Sequence, residues 1–363
     1  MSSLKRPATE PTRTLIAIPV LALGLALLAT VIYGPALWDV AGVRAVQAVG
    51  SWLRVPMQVI SFLGSPEFFL LLVPLVFWCL DKALGVDLGI LLLLSGFVNG
   101  IAKASFKYPR PFWSDPFLKL SGATSFSLPS GHAQGTATLF GYLIWYLSVG
   151  DNKDNRRTGW RWVAVALLVL LVVLVSLSRV FLGVHYPGDV IWGAAAGVAL
   201  LALYIWFKPR AMGRLRGLRL GAHVLLAGAS ALAVVVLGLL ALAIPVGNGP
   251  MFGGLYNAAR SQTLVEIAGL AGMMVGLWIG LVLEARYVRF AVVGPFWQRA
   301  LRYVLGLASL FIIWIGLQLI LPAEPAALGL AVQVLRYAVA ILWAIWAWPW
   351  LFVRIGLGVR ERE

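Results

Sequence analysis

Along the chain, apolar runs of about 20 residues are separated by short polar stretches. A helix rising 1.5 Å per residue needs about 20 apolar residues to cross a hydrocarbon core about 30 Å thick. Read this way, the runs predict ten spans, at about 14–33, 66–80, 85–104, 133–149, 162–182, 189–207, 222–245, 263–283, 303–321 and 328–352. The strict alternation of a membrane barrel strand is absent. The expected fold is therefore an all-α, polytopic membrane helical bundle. Between the first two runs, residues 37–64 mix Trp38, Arg44, Trp52 and Arg54 with apolar residues, which reads as a helix lying in the interface with Trp at headgroup level. The first run follows a basic start, as a signal peptide does. It is too long for a signal core and no convincing small-residue cleavage site follows, so it reads as a retained anchor.

Composition sharpens this picture. The chain has 363 residues, 61% hydrophobic and 12% charged, against about 45–50% and about 25% in a soluble domain. Its net charge of +15 does not point to nucleic acid, because the basic residues sit in short loops at alternate span ends. Lys5, Arg6 and Arg13, the 151–161 loop, Lys208 to Arg219, Arg286 to Arg302 and the carboxyl end would all lie on one side. The 246–262 and 322–327 loops carry almost no positive charge. Basic loops remain cytoplasmic, so both termini are expected inside. No Asn-x-Ser/Thr sequon is found in an extracytoplasmic loop, and the short loops and basic carboxyl end fit a bacterial inner membrane protein. The single cysteine, Cys79, reads as a small buried hydrophobe.

One polar stretch, 105–131, is long for a compact bundle, and long ordered loops are usually functional. It lies among three polar clusters: Lys103-x6-Arg110-Pro111, Pro129-Ser130-Gly131-His132, and Ser178-Arg179-x5-His185-x3-Asp189. Taken singly, each has a bland reading. An Arg at a span end snorkels, a Ser-Gly before a helix is an N-cap, and a His beside a Pro-Gly turn is a surface residue. Jointly they converge on one membrane face, the extracytoplasmic one, and ionisable groups at that depth are costly.

Their chemistry suits a phosphate. Lys103, Arg110 and Arg179 can surround it, Arg with its planar fork of donors and Lys with a point charge. Ser130 and Gly131 open a helix whose free N–H groups favour an anion, with Gly allowing close approach. His185 is the candidate nucleophile, able to form a phosphohistidine. Asp189, four residues on, can hold its other ring nitrogen. His132 remains as general acid or base. With three cations present, no metal and no cofactor are required. His223 falls on the other face, and Glu67, Glu266 and Glu284 have no evident catalytic partner in the sequence.

At these residues the chain resembles the type 2 phosphatidic acid phosphatase superfamily, which also includes vanadium-dependent haloperoxidases. All three clusters match its K-x6-RP, PSGH and SR-x5-H-x3-D pattern. The resemblance implies a six-helix core over residues 1–207 that dephosphorylates lipid phosphates or diphosphates without metal. It implies the same roles as above: Lys103, Arg110, Ser130, Gly131 and Arg179 for phosphate, His132 as acid, His185 as nucleophile and Asp189 as its partner. Residues 208–363 form a four-span extension outside that core. The expected partners are a lipid phosphate and the surrounding membrane lipids. Two other readings compete: a lipid phosphotransferase on the same core, and a non-catalytic lipid carrier.

Overall fold

The computed structural model describes residues 11–149, 158–215, 217–246, 249–321 and 326–361. Lys5, Arg6, the 151–157 loop, Arg216 and most of the 322–327 loop, all used in the charge reading, lie outside the described residues.

The described residues fold mostly into helices. α1 (Pro11–Tyr33) leads through a 3₁₀ turn into two short helices, α2 (Val40–Gln47) and α3 (Arg54–Phe62). These occupy the segment predicted to lie in the interface; Trp52 of the turn between them and Val55, Val59 and Phe62 of α3 are exposed. α4 (Pro66–Leu75) starts at Ser65, whose side chain accepts from the Phe68 N–H at 3.2 Å, and it continues as a wide π-type turn, Val76–Leu80. Asp81 caps α5 (Lys82–Phe106) in the same way, accepting from Leu84 N–H at 2.9 Å. The loop 107–130 carries α6 (Pro111–Ser114), and α7 (Gly131–Val149), α8 (Thr158–Phe181) and α9 (Pro187–Leu215) follow.

The remaining helices are α10 (Leu220–Ala243), α11 (Gly249–Leu283), α12 (Phe296–Ile320), α13 (Ala326–Leu342) and α14 (Trp348–Arg354). β1 (Phe290–Ala291) and β2 (Val359–Arg360) form a two-residue antiparallel pair.

Among the described residues, eight helices are long and apolar enough to cross a membrane, or nine if the bent pair Ser51–Phe62 and Pro66–Leu80 is one span. The helix missing from the ten predicted spans is α7. At 19 residues it has the length, but Gln134, Thr136 and Thr138 make it polar. All three are fully buried. α7 can carry them because it is enclosed by α5, α8 and α9 rather than by lipid.

A second difference lies at 246–262, predicted as a loop. From Gly249 onward it is helical and belongs to α11, with a break at Gly253, where φ is 41°. Beyond the break at Gly253, the part of α11 that ends at Leu283 is about 45 Å long at 1.5 Å per residue, more than the hydrocarbon core.

Two close approaches set the frame of the site. α7 and α9 pack nearly backbone to backbone: a Cβ on Gly193 would stand 2.6 Å from the Ser130 carbonyl oxygen, and one on Gly197 would stand 2.5 Å from that of Gln134. Any larger side chain at either position would push the helices apart. In the α8–α9 turn, Gly183 takes φ +71° with the Leu118 carbonyl where its Cβ would be, a conformation that favours glycine. The carboxyl-terminal helices are joined to this bundle. Phe77 and Trp78 of the α4 turn are buried with Phe290, Trp348 and Phe352. α11 packs against α5, α10 and α13.

Candidate active site

The end of α5, the start of α7, the end of α8 and the start of α9 meet at one end of the bundle. There the site loop, residues 107–130, folds back across them.

His185 lies in the turn just before α9 and Asp189 in the first turn of that helix, four residues on. His185 Nδ1 is 3.2 Å from Asp189 Oδ2, with both side chains buried. The other ring nitrogen, Nε2, lies 3.3 Å from Nη1 of Arg110. An Arg N–H can only donate, so Nε2 is the acceptor and Nδ1 carries the proton given to Asp189. This is the tautomer with a lone pair on Nε2, turned toward a cation. His185 sits in the turn outside the spans. Its burial, together with Arg110, Arg179 and Lys103 nearby, holds its imidazolium form well below the usual histidine range. The ring is neutral at pH 7.

Asp189 Oδ2 accepts two further hydrogen bonds, from the Tyr186 N–H at 2.8 Å and from the Ser127 hydroxyl. Its main-chain carbonyl accepts from Ser130 N–H at 2.9 Å, which clamps the start of α7 to the start of α9.

Arg110 is fully engaged. Nε donates to the Ser125 carbonyl at 2.5 Å, Nη1 to the Val184 carbonyl at 2.7 Å, and Nη2 to the Phe126 carbonyl at 3.1 Å. The second Nη2 proton points at Ser125 Oγ, 3.5 Å away. Arg110 therefore holds the site loop and aims one N–H at His185. Lys103 reaches the same hydroxyl, Nζ to Ser125 Oγ at 2.9 Å. Arg179 donates from Nη1 to Ser61 Oγ of α3 at 2.5 Å, while its Nε is buried with no hydrogen-bond partner among the described residues. An unpaired buried guanidinium N–H calls for a ligand or an ordered water.

Ser130 is buried and its Oγ accepts from Ala133 N–H at a long 3.5 Å, so its own proton is free for another acceptor. Gly131 is tight against Asn99: a Cβ there would stand 3.1 Å from Oδ1. His132 is only half-buried; its carbonyl accepts from the Thr136 hydroxyl at 2.8 Å, and its ring makes no hydrogen bond among the described residues. Its electrostatic neighbours are Arg179, Lys103 and Arg110.

The eight predicted residues thus gather at one place. Lys103, Arg110, His185 and Asp189 are joined through shared hydrogen bonds, Ser130 is joined through the backbone with Gly131 next to it at the start of α7, and Arg179 and His132 are set around them. His223 is elsewhere, accepting from Trp278 Nε1 at 3.3 Å. Glu284 pairs with Lys82 at 2.7 Å.

Sequence reasoning missed Ser61, Ser125 and Ser127. Ser125-x-Ser127 was visible as a pair of hydroxyls in an aromatic loop, but nothing local distinguished it from turn residues. It also missed an outer layer: Asn99 Nδ2 donates to the Pro129 carbonyl at 3.2 Å and to Gln134 Oε1 at 3.0 Å, and Gln134 Nε2 donates to the Ser95 carbonyl at 2.9 Å. Polar amides inside apolar runs were the available signal.

Comparison with known proteins agrees with the resemblance. Residues 84–212 match the PAP2 superfamily, and residues 268–362 match a family described as PAP2 superfamily phosphatase, transmembrane extension. Over 154 residues, 40% of this chain and 36% of the relative, the sequence is 30% identical to lipid phosphate phosphatase delta of Arabidopsis thaliana. Over 160 residues, 43% of this chain and 38% of the relative, it is 29% identical to a dihydrosphingosine 1-phosphate phosphatase of Schizosaccharomyces pombe. The chain thus spans well under half the length of these two relatives. A crystal structure of a transmembrane PAP2-type phosphatidylglycerolphosphate phosphatase from Bacillus subtilis aligns with 53% of this chain and 96% of its own, at 25% identity and a TM-score of 0.44.

Proposed function

We propose, on the premise that residues 84–212 form a PAP2-superfamily region and residues 268–362 its transmembrane extension, that this chain is an integral membrane lipid phosphatase. It hydrolyses a lipid phosphate monoester or diphosphate through a phosphohistidine, without a metal. Residues 1–207 carry the chemistry and residues 208–363 form the extension. The observation that carries the reading is the His185 ring. Asp189 holds its Nδ1–H, and its Nε2 lone pair faces Arg110, with Lys103 and the unpaired Nε–H of Arg179 close by.

In the first step Nε2 of His185 attacks phosphorus in line, and the bond from phosphorus to the lipid oxygen breaks. His132, half-buried at the open side, gives its proton to the leaving alkoxide. Asp189 stabilises the imidazolium that forms, and the Ser127 and Tyr186 donors keep its carboxylate aimed. The phosphoryl oxygens take donors from Arg179, Lys103, the Ser130 hydroxyl and the first N–H groups of α7, and the Arg110 Nη1 N–H that faces His185 Nε2 in the free protein turns to them as Nε2 bonds to phosphorus. In the second step water attacks phosphorus, His132 accepts its proton, and phosphate leaves with His185 restored. The three cations balance the phosphoryl charge, which is the role a metal would otherwise fill.

The site faces the extracytoplasmic side of a bacterial inner membrane, with both termini cytoplasmic. Charge supports this: Lys208, Arg210, Arg214, Arg219, Arg286 and Arg289 cluster at the end of the bundle opposite the site.

The test is phosphate release from a panel of lipid phosphates and diphosphates. Purified protein in detergent with EDTA is compared with His185→Ala. Release by the wild type and none by the variant is expected. No release from any lipid, or equal release by both proteins, overturns the reading.

A further inference from the structure

The extension is not remote from the site. Lys107, in the left-handed conformation at the end of α5 (φ 46°), donates from Nζ to the Ala241 and Ile244 carbonyls at 3.0 and 2.6 Å. It thus closes the carboxyl end of α10 with a cation, as the helix dipole favours. The first part of α11, predicted as loop, lies over the site loop. Phe252 packs on Trp113 with ring centroids 5.4 Å apart, and Tyr256 packs on Phe126 at 5.4 Å. Ala259, fully buried, joins the same cluster with Phe181, Leu182 and Val184. Val184 is the residue whose carbonyl holds Arg110.

Further along, α11 runs antiparallel to α5. Leu277 faces Gly89, and Leu270 lies against Gly96 and Gly100, 2.8 and 3.5 Å from where their Cβ atoms would be. One turn toward the site, about 5.4 Å, the residue on α11 is Glu266 and the residue on α5 is Lys103. The two side chains stand at one level, and Glu266 interacts electrostatically with both Lys103 and Arg110. Among the described residues its one hydrogen bond is a weak one, from Gln262 Nε2 of its own helix at 3.4 Å. A half-buried carboxylate that forms no direct ion pair among the described residues, at the edge of a cluster of three cations, weakens the attraction of that cluster for any anion. Its presence there makes chemical sense if the substrate carries a donor as well as a phosphate.

We propose that α11 forms the head-group wall of the site and that Glu266 is a specificity-determining residue, accepting a hydrogen bond from an ammonium or hydroxyl group on the leaving alcohol close to the phosphate ester. The inference rests on the phosphatase reading above. Glu266 attracts a zwitterionic amino-alcohol phosphate, accepts more weakly from a neutral hydroxyl, and repels a substrate bearing a second anionic group, such as a diphosphate.

The experiment compares wild type and Glu266→Gln on three monoesters with matched chains: sphinganine 1-phosphate (ammonium), lysophosphatidic acid (hydroxyl) and phosphatidic acid (neither). The expected result is a fall of about tenfold or more, in Glu266→Gln, in the kcat/KM ratio of the ammonium substrate to phosphatidic acid. The hydroxyl substrate should change in the same direction by less. Vanadate should inhibit the variant more strongly, since a negative charge beside Lys103 has gone. A fall confined to the hydroxyl substrate would assign the site to that donor instead of the ammonium. An equal change on all three substrates would make Glu266 a positioning residue for Lys103 and overturn the proposal. If wild type released no phosphate from any of them, the phosphatase reading would fail and this one with it. Glu266→Asp, which keeps the charge on a shorter arm, serves if Glu266→Gln elutes aggregated. It should change the same ratio, and an unchanged ratio in a folded Glu266→Asp protein would equally overturn the proposal.

Discussion

Ser127→Ala tests the arrangement at its least expected point. Asp189 Oδ2 has three donors: His185 Nδ1 at 3.2 Å, Tyr186 N at 2.8 Å and the Ser127 hydroxyl. Alanine removes one of them and leaves the carboxylate buried. A hydrogen bond to a charged group contributes about 1.5–3 kcal/mol, and each 1.36 kcal/mol is tenfold in rate. If the bond holds Asp189 against the imidazolium that forms during phosphoryl transfer, kcat should fall about 10- to 100-fold, with KM changed far less. Asp189→Asn should do more, because the amide can turn an N–H toward His185 and favour the wrong tautomer. The comparable change in a Ser-His-Asp hydrolase costs about 10⁴. The assay is single-turnover phosphate release by wild type, each single variant and the double variant. Because both changes act through the same carboxylate, Ser127→Ala should lower the Asp189→Asn rate by no more than about threefold. A Ser127→Ala enzyme at the wild-type rate would refute the reasoning. So would a full additional loss in the Asp189→Asn background, which would mean that Ser127 acts somewhere other than on Asp189.

Arg110→Lys keeps the charge but not the fork that reaches the Ser125, Phe126 and Val184 carbonyls and His185 Nε2. It should lower kcat/KM about 10²- to 10³-fold and weaken vanadate inhibition, and undiminished vanadate inhibition would place the anion elsewhere. Stability should depend on pH through His185, whose pKa in the folded protein lies well below the ordinary 6.5. Above pH 6.5 both folded and unfolded chains hold it neutral, and it contributes nothing. As pH falls below 6.5, the unfolded chain binds the proton first, so stability is lost progressively toward the depressed folded value. The unfolding temperature of the wild type should therefore drop more steeply between pH 6.5 and 5 than that of His185→Gln. Parallel curves would show that His185 titrates normally in the fold.

Much of this protein was determined by the order of its residues alone. Apolar runs of helical length without strand alternation dictate membrane helices, because only a helix or a closed barrel satisfies the backbone in lipid. The three polar clusters were legible because costly side chains recur at span ends, and the spacing of His185 and Asp189 places them one turn apart on any helix that starts between them. What the tertiary structure decided are contacts between residues distant in sequence. Ser61 meets Arg179 from 118 positions away, and Val184 accepts from Arg110 across 74. Neither pairing leaves a periodic trace, since a single serine or carbonyl has no pattern until the helices around it are packed. The same reason explains α7, predicted as a span like the others but too polar to face lipid on all sides. Its Gln134, Thr136 and Thr138 are affordable only where other helices replace lipid around them. It also explains α11, where small and polar residues from 249 to 262 look like loop. They fold as helix because the site loop gives Phe252, Tyr256 and Ala259 a surface to cover. That helix brings Glu266 level with Lys103, a placement set by the packing of Leu270 against Gly96 and Gly100 and by nothing in the local sequence of either.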